Sequence, residues 1–174
     1  MTDPVEGGEV LFVSANAHKL EEANEALAPY GLRLKMAQIE KVEIQADSLE
    51  AIASFAATLA AERSGKGVVC EDSGLFIDAL GGFPGPYSSY SFKTLGCKGI
   101  LKLMEGMTNR QGRFQSALSF CKPGNAPITF VGTAEGSISD QQRGSVGFGF
   151  DPIFVPAAGD GRTFAQMEIA EKGR

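Results

Sequence analysis

Apolar and polar positions along the chain follow two different rhythms. In the first half, Val10 to Val13 form a short apolar run that breaks at Ser14 and passes, after Lys19, into a segment with Leu20, Ala23 and Leu27 at helical spacing, closed by Pro29 and Gly31. Leu32 to Ile39 alternates as a second strand. Asp47, with Glu50 three residues on, is placed to cap a helix whose apolar face would be Leu49, Ile52, Phe55, Leu59 and Ala60, and Ser64-Gly65 would end it. Val68 to Cys70 reads as a short buried strand. Strand, helix, strand, helix, strand predicts a largely parallel sheet flanked by helices.

The rhythm then changes. Gly112 to Lys122 and Ile128 to Ser139 are extended runs joined by the turn-rich Pro-Gly-Asn-Ala-Pro, which predicts an antiparallel hairpin. Ile100, Leu101, Leu103 and Met104 mark a helix before them, and Gly147 to Pro156 reads as a strand approached by a tight loop. The pattern contains no internal repeat and no linker of domain-separating length, so the expectation is one α/β domain over residues 1–174 with a central mixed sheet, in two lobes with a cleft between them.

Composition narrows the partners. With 43% hydrophobic residues and a formal charge of −5, the chain has no general attraction for nucleic acid or an anionic membrane, so any bound phosphate must be held by local design. Cys70, Cys97 and Cys121 form no Cys-x-x-Cys pair and lie in or near apolar segments, as packed, reduced thiols do. Nothing in the chain approaches the roughly 18 consecutive apolar residues of a membrane span, and the acidic N-terminus lacks a signal core. The expected location is the cytoplasm.

Chemistry concentrates in four segments. Ser14-Ala15-Asn16-Ala17-His18-Lys19 sits where a strand hands over to a helix, and free N–H groups with the helix dipole favour an anion there. Taken alone, the segment also reads as an ordinary cap at Asn16 with a solvated lysine. Glu71 and Asp72 follow the buried strand; if the strand continues through them they point to opposite faces, which excludes a two-carboxylate glycosidase built from this pair. One of them can face a cleft and hold Mg²⁺ or accept a proton from water. Glu43 lies in a loop that can open on the same edge of the sheet, where it could share the metal; taken alone it reads as a solvated surface acid. In Gly147 to Phe154, Phe148 or Phe150 could stack on a planar ligand, with at most one of the two free to do so, and Asp151 before Pro152 is held extended.

In order, the stretches SANAHKLEE, VEIQADSLEAI, EDSGLFIDALGGFPGPYSSY, GFGFDPIF and TFAQMEIAEK span residues 10 to 172 and resemble the inosine and xanthosine triphosphate pyrophosphatases, with YSSYSFKTLGCKGILKLMEG resembling their archaeal branch. The resemblance implies an elongated two-lobed α/β fold, usually a homodimer, that splits noncanonical purine nucleoside triphosphates (ITP, dITP, XTP) into the monophosphate and pyrophosphate with Mg²⁺. It assigns Ser14, Ala15, Asn16, Ala17, His18 and Lys19 to the triphosphate, Glu43 and Asp72 to the metal, and Asp72 also to activation of water. Ser73 would contact substrate, Phe148, Gly149, Phe150 and Asp151 would form the base pocket, and Lys172 would reach the nucleotide.

Two departures stand out. Where many bacterial and eukaryotic relatives carry a lysine in the second helix, this chain has Ala56. The family's sequences also continue past Lys172 with a Ser-His-Arg segment and a terminal helix, so the resemblance places part of the base pocket beyond Arg174. A nucleotide-binding protein with little turnover, or a pyrophosphatase of relaxed base specificity, are the alternatives that these departures leave.

Overall fold

The computed structural model describes residues 10–14 and 16–172 of the 174. In chain order, β1 (Val10–Val13), α1 (Ala17–Leu27), β2 (Leu34–Met36), α2 (Leu49–Ser64) and β3 (Val68–Ile77) precede α3 (Ser88–Thr94) and α4 (Gly96–Leu103). β4 (Gln111–Cys121), β5 (Ile128–Ile138), β6 (Phe154–Pro156) and the short α5 (Ile169–Lys172) complete the order. The strands build one mixed sheet, β2-β1-β3-β4-β5-β6. β1 is parallel to β2 and β3 because helices carry the chain back between them, whereas β3 to β6 are antiparallel neighbours. The α/β class and the hairpin are as the sequence predicts.

Alternation along β3 sends Val69 and Cys70 to opposite faces, and each meets a different helix. Val69 packs with Phe12, Leu34 and the Leu20, Ala23, Leu27 stripe of α1. Cys70 packs with Val13 and with Ala56, Ala57, Ala60 and Ala61 of α2. The buried face of α2 is thus its alanine stripe together with Leu49 and Ile52, while Phe55, expected to be core, is 41% exposed. Small residues let the helix lie close on the sheet, which leaves the bulky ring outside. The cap also differs by one residue: Ser48, extended at φ −127°, ψ 142°, accepts from the Ala51 N–H at 3.2 Å, and Asp47 lies outside the helix.

β3 is the longest departure from expectation, running ten residues rather than stopping at Cys70. β4 pairs with it throughout, from Val68↔Cys121 to Ile77↔Gly112, and so carries it past the acids. Its other neighbour, β1, ends at Val13↔Cys70. From Glu71 onward one edge of β3 is therefore laddered and the other opens toward the loops. Farther along, Leu75 and Ile77 enter a second apolar cluster with Ile100, Met104, Ile138, Ile153 and Phe154. On that face, α1 covers the start of β3 and the second cluster its end, while Glu71 and Ser73 between them are only half-buried.

The turn at Gly85–Ser88 locks the far half of β3 in place. Ser88 Oγ accepts from the Leu75 N–H at 2.8 Å and donates to the Gly85 carbonyl at 2.7 Å. A Cβ on Gly74 would meet that same carbonyl oxygen far inside van der Waals contact. Gly74→Ala is expected to cost about 1–3 kcal/mol through overpacking, seen as a fall of several degrees in Tm by scanning fluorimetry. An unchanged Tm would show that the turn does not press on β3.

The three cysteines are free and buried, as expected. Burial pushes the Cys70 and Cys97 thiols up to about 11, so neither is a thiolate near neutrality. Among the described residues no helix is long and apolar enough to cross a membrane.

Candidate active site

The parallel strands bring their carboxyl ends, and the loops that follow them, to one edge of the sheet. After β1, Ser14 Oγ accepts from the Asn16 N–H at 3.0 Å, and Asn16 Oδ1 caps α1 by accepting from the His18 N–H at 3.0 Å. Ala15 lies outside the described residues. Ala17 and His18 are exposed, and the His18 ring lies nearly parallel to Phe148 with centroids 6.0 Å apart. The helix end keeps the positive potential that suits an anion.

Lys19, one turn into α1, reaches the α1 face of β3, where its Nζ lies 2.6 Å from Glu71 Oε2. That contact is charge to charge, because Oε2 is buried without a directional hydrogen bond. Ser116 Oγ donates to Glu71 Oε1 at 2.7 Å from the neighbouring strand. Glu71, to which the sequence assigned no partner, is thus received by a lysine and a serine.

Asp72 faces the other way and is 8% exposed. Its partner is Lys41, which the sequence reading missed. Lys41 Nζ donates to Glu43 Oε1 at 2.6 Å, to the Glu71 backbone carbonyl at 2.8 Å and to Asp72 Oδ1 at 3.3 Å. Burial raises the Asp72 carboxyl above its ordinary value, with Lys41 and Lys19 pulling it back. Burial disfavours the Lys41 charge, but Asp72, Glu43 and Glu71 outweigh it and hold the ammonium protonated. The available signal was spacing: in an extended segment Lys41 and Glu43 project to the same side.

These contacts also test whether the residues suit a metal. Among the described residues no group of three or more His, Cys, Asp or Glu side chains has metal-holding geometry. What converges on the Lys41 ammonium is two carboxylates and a carbonyl, an all-oxygen set gathered on one cation. Magnesium sites of this type use one or two carboxylates and take their remaining ligands from water and substrate phosphates. The donor set fits a hard divalent ion.

The second wall is the loop before β6. Phe148 is half-buried, whereas Phe150 is 2% exposed and meets Phe92 edge to face at 5.4 Å, so its ring belongs to the core. Asp151 Oδ2 accepts from the Phe148 N–H at 3.1 Å and from Lys172 Nζ at 2.7 Å. Lys172 also reaches Glu22 Oε1 at 3.3 Å, tying α5 to α1. Burial leads in raising the Glu22 carboxyl, Lys172 opposes it, and Asp151 and Glu71 add to it. Gly147, at φ +84°, is required here: a Cβ would strike the Asp151 carboxylate and lie 2.7 Å from Lys172 Nζ. The Gly149 carbonyl accepts from the Cys97 thiol at 3.5 Å.

Ser73 lies on the same face as Glu71 and is half-buried. Ala56 is 2% exposed in the α2 core and supplies no cation.

A profile described as the Ham1 family matches residues 10–174. A dITP/XTP pyrophosphatase of Methanopyrus kandleri is 49% identical over 163 residues, covering 94% of this chain and 86% of the relative. One of Hyperthermus butylicus is 46% identical over 165 residues, covering 95% and 86%. Among solved structures, a HAM1 protein from Coxiella burnetii superposes with a TM-score of 0.81 at 30% identity, covering 94% of this chain and 89% of that one.

Proposed function

The chain belongs to the Ham1 family, and from that premise we propose that it hydrolyses the noncanonical purine nucleoside triphosphates ITP, dITP and XTP to the monophosphate and pyrophosphate. The observation that carries this reading is the gathering of Glu43, Asp72 and the Glu71 carbonyl around one cation position at the edge of β3. The N-terminus of α1 opens on the same edge.

Glu43 and Asp72 hold Mg²⁺. Bound there, the ion supplies charge neutralisation at the phosphoryl oxygens. Asp72 is the base: its carboxylate stands where β3 runs on past the end of β1, placed to take the proton of the attacking water. Lys19 and the Ser14–Lys19 segment bind the triphosphate, which lies across the open edge of β3 beyond the end of β1. Ser73 meets substrate on the cleft floor. Phe148, by its ring, and Gly149 and Phe150, by their backbone, shape the base pocket with Asp151 and Lys172. The reaction needs positioning and charge more than covalent chemistry, which suits this set. Donors aimed at a 6-oxo group would discriminate against adenine, whose amine leaves them unpaired.

A cytoplasmic homodimer acting on free nucleotide, without nucleic acid or membrane, completes the reading. The formal charge of −5 supports the absence of a polymer partner. For the dimer, Ile128, Phe130 and Val131 are exposed on β5, where β6 pairs only with residues 136–138. Light scattering on the purified chain tests it.

The metal assignment predicts that EDTA abolishes pyrophosphate release from ITP and that Mg²⁺ restores it; release unaffected by chelation would remove the metal from the reading. Lys19→Ala should raise KM about tenfold, about 1.4 kcal/mol of binding, with kcat changed less. It should also lower Tm, since the Glu71 carboxylate loses the cation 2.6 Å from its Oε2. Steady-state kinetics with ITP separates the two constants, and an unaltered KM would take Lys19 off the phosphates.

A further inference from the structure

We propose that Lys41 is a tethered counter-cation: its ammonium occupies the divalent-metal position while no metal is bound, and metal and ammonium exchange places. This rests on the reading that Glu43 and Asp72 hold the ion.

The contacts of Lys41 are those a metal would make. Its Nζ lies 2.6 Å from Glu43 Oε1, 2.8 Å from the Glu71 carbonyl and 3.3 Å from Asp72 Oδ1, all oxygens on one point. A magnesium ion takes oxygens at about 2.0–2.1 Å, so it would compete for the same lone pairs. Two cations cannot share that space, since at this separation their repulsion exceeds anything either gains from a second contact. The need for a resident cation is equally plain. Asp72 is 8% exposed and shares the Lys41 ammonium with Glu43, and a buried carboxylate left without a cation would unsettle the strand that carries it.

Exchange is also easy in this fold. Lys41 and Glu43 sit between β2 and α2 in residues 37–48, a segment without regular structure. The ammonium can therefore withdraw along its flexible stem without unpairing a ladder. The consequence is a threshold: free metal must displace a charge already in place, whereas metal arriving with a triphosphate brings extra ligands and a destination for the displaced ammonium. Lys41 keeps the cage folded when empty and biases it toward metal delivered with substrate.

The test is metal binding rather than turnover. Mn²⁺, read by the loss of its free-ion EPR signal, is titrated into the nucleotide-free parent, Lys41→Met and Lys41→Gln, and Tm is recorded in EDTA and in saturating Mn²⁺. The neutral variants are expected to bind Mn²⁺ at least tenfold more tightly than the parent, to melt lower in EDTA, and to gain more in Tm on adding metal. Glutamine can keep a hydrogen bond to the Glu71 carbonyl, so it remains informative if methionine does not fold. Binding by the parent that is equal to or tighter than both variants overturns the exchange while leaving the metal site standing. Binding by neither parent nor variants, at metal concentrations that restore activity, overturns both the metal assignment and the exchange.

Discussion

Asp72→Asn is expected to lower turnover of ITP by at least about a thousandfold, combining loss of a general base with loss of a metal ligand, while the chain folds as before. The fold should survive because asparagine fills the same volume and its carbonyl oxygen can still accept from Lys41, which keeps Glu43 and the Glu71 carbonyl as partners. What disappears is the negative charge that both metal binding and proton acceptance require. The measurement is kcat on the purified variant with Tm recorded on the same sample. Turnover near that of the parent would remove Asp72 from the mechanism, whatever its place in the geometry.

Asp151→Ala should act on stability and on binding together. The carboxylate is 6% exposed and serves two groups, the Phe148 N–H and the Lys172 ammonium, whose side chain is 10% exposed. Its removal leaves that ammonium with Glu22 at 3.3 Å and the face of Phe164, and takes away the acceptor of the Phe148 N–H. Breaking a buried pair in this way costs about 3 kcal/mol, which for a chain of this length lowers Tm by about 6–12 °C. With the loop unpinned, kcat/KM for ITP should fall about a hundredfold, the scale of a displaced positioning group. Asp151→Asn is the control: it keeps the bond to Phe148 and loses only the ion pair, so its effects should be smaller in both readouts. Equal effects would mean that the ion pair, not the loop bond, shapes the pocket.

What the sequence disclosed follows from how local its causes are. Apolar spacing marked β1, α1 and the β4–β5 hairpin because each is decided by residues near one another in the chain. β3 was cut short because its continuation through Glu71 and Asp72 is set by β4, more than forty residues away in the register Glu71↔Leu118. No pattern around an acid pair reveals a partner strand that distant. The α2 face was misassigned for a related reason: hydrophobic size pointed to Phe55, whereas close packing on the sheet selected alanines.

In the candidate site, the motifs point to Asp72, Glu43, Lys19, Asp151 and Lys172, but not to how these side chains pair. Lys41 was passed over because a lysine beside an acid reads as solvated surface until the fold buries it against Asp72. For Lys19, which the motif assigns to phosphate, the structure adds a contact with Glu71. Both contacts concern charge balance across a strand edge, which depends on where β1 stops.

The most direct test of the account is pyrophosphate release from ITP, XTP and ATP by this chain with Mg²⁺. Rapid release from ITP and XTP and little from ATP is the expected result. Nucleotide binding without release would contradict it, leaving a cleft that holds a triphosphate and does not split it.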